Sequence, residues 1–173
     1  MPHIQCFAPI ETPDATVLIL GSMPGEASLH AGRYYAHPRN LFWRIMAELL
    51  GIAPDAPYEQ RIAALKSARI ALWDVLQSCR RSGSLDANID DATLVPNDFA
   101  TFLAQHPRIT RVFFNGAKAE QCYRKRVLPF IAAAPMQSAT IEYLRLPSTS
   151  PAHAALSFER KLEAWRSINA QTR

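Results

Sequence analysis

Val17-Leu18-Ile19-Leu20 contains no polar position. A strand with one wet face alternates polar and apolar residues. A run without alternation suits a strand covered on both faces, as in a parallel sheet between helical layers. The run stops at Gly21-Ser22-Met23-Pro24-Gly25, and three later strand candidates stop in similar loops. These are Arg69 to Leu76, which carries Asp74; Thr110 to Asn115, before Gly116; and Thr140 to Leu146, before Pro147-Ser148. Helical patterns lie between them, over 40–50 up to Gly51, about 58–66, 96–105, 116–127 and about 154–168. This alternation predicts an α/β fold: a three-layer α/β/α sandwich on a mainly parallel four-stranded sheet, as one domain over residues 1–173. Residues 1–15 are expected to be irregular, and Pro129 and Pro135 to mark a loop. Residues 77–95 are polar and aperiodic and read as a long loop, which points to a functional surface.

Composition narrows the function classes. With 49% hydrophobic and 20% charged residues, the chain has the balance of an ordinary globular protein. No apolar run reaches the roughly 18 residues of a membrane helix, and Met1-Pro2-His3-Ile4-Gln5 does not open a secretory leader. The expectation is a cytoplasmic monomer. Cys6, Cys79 and Cys122 are far apart, form no CxxC pair and have no metal-ligand spacing, so inert thiols and no metal or cofactor are expected. A net charge of +4 permits a polyanionic partner.

The stretch Tyr34-Tyr35-Ala36-His37-Pro38-Arg39-Asn40-Leu41-Phe42-Trp43 gathers aromatics, an imidazole, a guanidinium and an amide around one proline. Pro38 disfavours helix at His37, and apolar residues recur at helical spacing after Asn40. Asn40 is then either a helix cap or an amide aimed at a ligand. The 21–25 loop, beyond a buried strand, is either a tight turn or a place where backbone approaches a ligand. Asn115 either caps the following helix or faces the same ligand.

The chain resembles the uracil-DNA glycosylase superfamily, and most closely its hypoxanthine-DNA glycosylase branch. The resemblance rests on GSMPG at 21–25, YYAHPRNLFW at 34–43, ALWDVLQSC at 71–79, GSLDANI at 83–89, FFNGAKA at 113–119 and LPSTSPAH at 146–153, in that order. It implies hydrolysis of the N-glycosidic bond of a deaminated base in DNA, with no metal and no redox cofactor. Some relatives hold a four-cysteine iron–sulfur cluster, which three scattered cysteines do not supply. Two positions depart from the pattern. Many members carry Asp or Asn where Met23 stands, and a thioether cannot orient water usefully. The last motif often opens with His or Asn where Leu146 stands. Both departures fit the hypoxanthine branch, in which the Asn of the AHPRN motif is implicated; that residue is Asn40.

The resemblance also suggests roles. The base is flipped into a pocket of Gly21, Ser22, Met23, Pro24 and Gly25 with Tyr35 and Phe42, Tyr35 being the candidate stacking ring. Asn40 stands at the reaction centre and Asn115 reads the base edge. Asp74 either stabilises the cationic sugar, orients a pocket side chain, or is a buried structural carboxylate. Glu26 is a secondary candidate for assisting water, and His37 braces its loop or touches substrate. Ser148, Thr149 and Ser150 would meet phosphates, with Ser150, Pro151 and His153 in a wedge that fills the vacated stack. Arg80, Arg81 and Lys118 are candidate phosphate contacts, or parts of solvated faces. Three activities compete: a hypoxanthine glycosylase, a broader glycosylase that also removes uracil or xanthine, and a damaged-DNA-binding module without catalysis.

Overall fold

A computed structural model describes residues 1–132 and 140–170. The strands are β1 (His3–Gln5), β2 (Val17–Gly21), β3 (Ile70–Asp74), β4 (Leu76–Arg80), β5 (Val95–Pro96), β6 (Arg111–Asn115) and β7 (Glu142–Leu146). The helices are α1 (Glu26–Ala31), α2 (Phe42–Leu50), α3 (Tyr58–Ser67), α4 (Phe99–Gln105), α5 (Ala117–Arg126), α6 (Leu128–Ile131) and α7 (Phe158–Trp165). β2 lies inside a four-stranded sheet of order β3-β2-β6-β7. All three pairings in it are parallel.

The apolar run of β2 does what its composition demands. Val17 and Ile19 pack on one side with Phe42, Ile45 and Met46 of α2, Leu65 of α3 and Trp165 of α7. Leu18 and Leu20 pack on the other with Phe99 and Phe102 of α4 and Tyr123 of α5. Two cores back to back make the predicted three layers. All four strands of this sheet therefore point their following loops toward one edge.

Several expectations need correction. His3–Gln5, expected to be irregular, pairs antiparallel with β4, which also pairs with β5. The segment 77–95 is therefore not a loop: it holds β4, short 3-10 turns at Asp86–Asn88 and Asp91–Thr93, and part of β5. The strand candidate ending at Leu76 breaks at Val75, where the chain leaves β3 and bonds to the first loop through Val75 N–H to Gly21 O (2.8 Å). α1 follows that loop directly and has no sequence counterpart among the predicted helices. Pro129 stands in the first turn of α6, where a missing N–H costs nothing; Pro135 lies outside the described residues. The final helix begins at Phe158 rather than near residue 154, because Ser157 Oγ accepts the Arg160 N–H (3.3 Å) and sets the start there. Among the described residues, no helix is long and apolar enough to cross a membrane.

Candidate active site

The loops that follow β2, β6 and β7, with the 34–40 stretch and the carboxyl end of β3, enclose a cavity of about 790 Å³. Its wall includes the whole 21–25 loop, Tyr35, Asn40, Asp74, Asn115 and Lys118. Ser148, Thr149, Ser150, Pro151 and His153 line it as well. Residues spread over 133 positions of sequence are thus brought to one place by a parallel sheet whose strands all end on the same side.

One part of the wall is built around Gly21. The register pairs Gly21 with Asp74 across β2 and β3. A Cβ on Gly21 would lie 2.6 Å from Asp74 Oδ1 and 2.9 Å from the Tyr35 hydroxyl, so only glycine fits between them. Asp74 is 3% exposed. Its Oδ2, the Tyr35 hydroxyl and the Arg81 Nη1 are buried without a hydrogen-bond partner among the described residues. Each such orphan costs about 1–3 kcal/mol when nothing meets it. Burial, reinforced by the Asp86 charge and opposed by Arg81, pushes the Asp74 carboxyl up to about 7. Burial, reinforced by Asp74, also pushes the Tyr35 hydroxyl upward, so it stays a neutral donor. Tyr35 holds a left-handed backbone conformation (φ 52°), a strained one for a residue with a side chain. Its ring lies on Phe42 with centroids 4.1 Å apart.

A strap from the end of β4 locks this region. Arg81, 1% exposed, donates through Nη2 to Pro24 O (2.5 Å) and through Nε to Gly83 O (2.8 Å). Ser22 Oγ donates to Asp86 Oδ1 (2.6 Å), and the Glu26 N–H donates to Ser84 Oγ (2.9 Å). The first loop is therefore held by three contacts with residues 81–86. Burial raises the Asp86 carboxyl as well, against the Ser22 hydrogen bond and the positive charges of Arg81 and Lys118.

Another part of the wall is made of two amides, each tied to the fold by part of its hydrogen-bonding capacity. Asn115 Nδ2 donates to Thr149 Oγ1 and its Oδ1 accepts the Thr149 N–H, both at 2.9 Å. Gly116, at φ 93°, lets the chain turn from β6 into α5 close against Ser148. Asn40 Oδ1 accepts the Phe42 N–H (2.9 Å) at the start of α2. The amide NH₂ of Asn40 has no protein partner among the described residues. His37 Nδ1 accepts the Arg39 N–H (3.1 Å) and braces the turn before it. Lys118 Nζ is paired with Asp91 Oδ1 at 2.7 Å.

The sequence expectations fare unevenly against this geometry. Asn115, expected to read the base edge, lines the cavity and spends one N–H and one oxygen lone pair on Thr149. Phe42 is fully buried behind Tyr35 and does not line the cavity. Arg80 also lies off the cavity, and Arg81 is a buried clamp rather than a phosphate contact. Met23 lines the cavity but belongs to the apolar core, and Glu26 stands on the wall. The roles of Arg81, Asp86 and Ser84 were missed. Ser84 and Asp86 lie in the GSLDANI motif, whose acid raises the Asp74 carboxyl, while Arg81 stands two residues before that motif.

The sequence matches the profile of the Uracil DNA glycosylase superfamily over residues 9–169. A hypoxanthine DNA glycosylase of Methanosarcina barkeri is 37% identical over 116 residues, 66% of this chain and 72% of that protein. A hypoxanthine DNA glycosylase of Methanosarcina acetivorans is 35% identical over 132 residues, 71% of this chain and 82% of the relative. A solution structure of a candidate uracil DNA glycosylase from Methanosarcina acetivorans superposes with a TM-score of 0.77 at 31% identity, covering 98% of this chain and 100% of the other. With six motif segments on one sheet edge and a match running from residue 9 to residue 169, this chain belongs to the uracil DNA glycosylase superfamily.

Proposed function

We propose that this protein is a monofunctional DNA glycosylase that removes deaminated bases, chiefly hypoxanthine, by flipping the nucleotide and hydrolysing its glycosidic bond with water. The observation that carries the reading is the cavity wall at Gly21, where a buried acid and a buried hydroxyl lack partners in a chain 37% and 35% identical to hypoxanthine DNA glycosylases.

A base in a duplex conceals its glycosidic bond, so the nucleotide must leave the stack at a cost of a few kcal/mol. Stacking on an aromatic ring returns about 1–3 kcal/mol. Tyr35, backed by Phe42, is the ring suited to that contact. Hypoxanthine presents O6 as an acceptor and N1–H as a donor. The neutral Asp74 acid carries both complements: its O–H donates to O6 and its carbonyl accepts N1–H. Negative charge grows on the departing base as the bond breaks, and a donor fixed beforehand strengthens as that charge grows. The Asn40 NH₂ is the second such donor. Its oxygen is held by α2, so the amide cannot turn away. Neither group is a strong base, and none is required when an oxocarbenium-like sugar accepts an oriented water. Ser148, Ser150 and the rest of the 148–153 loop would hold phosphates and fill the vacated stack.

A broader specificity has one observation in its favour. Uracil and xanthine show the same acceptor–donor edge that Asp74 complements, so the acid alone does not reject them. Matched duplexes containing deoxyinosine, deoxyuridine or deoxyxanthosine, treated with the protein and then with alkali, test both readings. Scission at deoxyinosine is expected at the highest rate. Equal rates on all three would establish the broader enzyme, and no scission anywhere would reduce the protein to a DNA-binding module.

A further inference from the structure

Besides Asp74 and Arg81, a further charged side chain is buried, away from the cavity. Lys161, on α7, is 2% exposed. Its Nζ donates to the backbone carbonyl of His153 at 2.5 Å. It joins no ion pair among the described residues, and an ammonium has three N–H groups to satisfy. Burial pulls its pKa down from the ordinary lysine value. A cation taken out of water with one carbonyl as its partner is costly, and such a cost persists in a fold only when something else makes use of the charge or its bond.

The contact point shows what that use is. The 148–153 loop has two halves. Thr149, wholly buried, is gripped by both atoms of the Asn115 amide, and its carbonyl accepts the Leu41 N–H (3.0 Å). Beyond Thr149 the bonds are internal: the Ser150 N–H to Ser148 Oγ, the Ala152 N–H to Ser150 Oγ and the His153 N–H to Ser150 O. Among the described residues, the hydrogen bond that ties this exposed second half to the rest of the molecule is the one from Lys161. Ser157, the cap of α7, fixes where the helix begins and so where Lys161 stands beneath the turn.

We propose that Lys161 is a positioning residue for DNA: it sets the 150–153 turn in its binding shape from below, and the phosphate backbone drawn against that turn supplies the counter-charge that the buried ammonium lacks in the free protein. This rests on the reading of the 148–153 loop as a DNA contact. Lys161 does not touch the reacting atoms. Its work belongs to binding, so its loss is read in affinity rather than in bond cleavage.

Three variants separate the two parts of the proposal. Lys161→Gln keeps a donor and removes the charge, Lys161→Met removes both, and Lys161→Arg keeps the charge. Each is measured for melting temperature, for affinity to a deoxyinosine duplex over a salt series, and for single-turnover rate at saturating DNA. Lys161→Met is expected to weaken binding by about tenfold or more while its saturated rate stays within a few-fold of the parent. Lys161→Gln is expected to recover part of that loss and to show a shallower salt dependence than the parent. Lys161→Arg is expected to bind better than Lys161→Gln. Parental affinity in Lys161→Met, or a saturated rate that falls while affinity holds, overturns the proposal. Parental affinity and salt slope in Lys161→Gln overturn the counter-charge. Should Lys161→Met fail to fold, the Gln and Arg variants decide the matter. If the parent cleaves no substrate, the glycosylase reading fails, while affinity for undamaged duplex still judges Lys161.

Discussion

The two sides of the cavity solve opposite problems. On the Asn115 side, the amides are tied to the fold: Asn115 serves Thr149 through one N–H and its oxygen, and the Asn40 oxygen serves α2 while its NH₂ is free of protein partners among the described residues. On the Gly21 side hydrogen-bonding capacity is left open: Asp74 Oδ2 and the Tyr35 hydroxyl are buried and unmet. The first side is fixed to the fold through Thr149 and the start of α2. The second is held from behind, by Arg81, Ser22 and the strap, so its front can remain unmatched. An open polar group in a dry wall is where a substrate gains most, since its arrival removes a penalty as well as adding a bond. On the proposed function, the Asp74 acid is the group on this side that a ligand would meet.

Asp74 gives the largest expected effect. Asp74→Ala should lower the single-turnover rate on deoxyinosine about 10²–10³-fold, the loss typical of removing one preorganised donor. On the proposed mechanism, the working form of Asp74 is the neutral acid. With its carboxyl at about 7, that form predominates below neutrality and is lost as pH rises. The parental rate should therefore fall about tenfold per pH unit on the alkaline side. Asp74→Asn keeps a donor and an acceptor and should flatten that limb. A parental rate that climbs through pH 7 would transfer the role to the carboxylate and to the cationic sugar. Stability has its own sign. A folded-state value raised above the ordinary 3.8 means the fold binds the proton more tightly than the unfolded chain. Stability from this group is greatest below about pH 4, declines up to about 7 and is level above. Asp74→Asn should melt above the parent at pH 8 and close to it at pH 4.

Asn40 ranks next, because its two functions can be separated. Asn40→Asp keeps an oxygen for the Phe42 N–H and removes the NH₂ donor. Asn40→Ala removes both and takes the acceptor from the Phe42 N–H, at about 1 kcal/mol. Both should lose about a hundredfold in saturated rate while binding DNA nearly as the parent does. Only Asn40→Ala should melt lower. An active Asn40→Asp would leave the residue as a support for the turn before α2 and erase its distinction from Asn115.

Asn115 tests the matched side. Asn115→Ala leaves the Thr149 N–H and hydroxyl unmet in a buried place, a cost of about 1–3 kcal/mol in stability. Its expected functional effect is about tenfold in affinity for deoxyinosine DNA, through a loosened 148–153 loop, with a modest change in saturated rate. A hundredfold fall in saturated rate with affinity intact would make Asn115 a reader of the base after all.

What the sequence discloses follows the same division. The central sheet is legible because Val17, Leu18, Ile19 and Leu20 leave no face for water, and the position of the site follows because each strand ends in a loop on one edge. The small antiparallel sheet is not legible. β1 has three residues, and β4 buries Ser78 and Cys79 side by side, which erases the alternation that marks a strand. Within the site, the motifs locate Asn40, Asp74 and Asn115 but not the use of their atoms. Asn115 finds its partner 34 residues away and Arg81 reaches Pro24 over 57, so neither bond has a local signature. A charge count reads Arg81 as basic surface, whereas the fold buries it.

The smallest expected effect belongs to Asp86, and it asks whether the open side is tuned as well as open. Asp86 raises Asp74 by like-charge repulsion, and Arg81 opposes it. Asp86→Asn can still accept from Ser22 and leaves the Arg81 bonds to Pro24 and Gly83 in place. It removes the negative charge alone. Asp74 should then ionise at lower pH, and the alkaline fall in rate should move toward acid by less than about one unit, the scale of a single screened neighbour. At pH 6 the variant and the parent should cleave within a few-fold of each other, and at pH 8 the variant should be slower. The double variant Asp74→Asn, Asp86→Asn should show no such shift, because the titrating group is gone. A shift that survives in the double variant would place the limb on another residue, and a move toward alkali would mean that Asp86 acts on Asp74 by holding Arg81 near it rather than by its own charge.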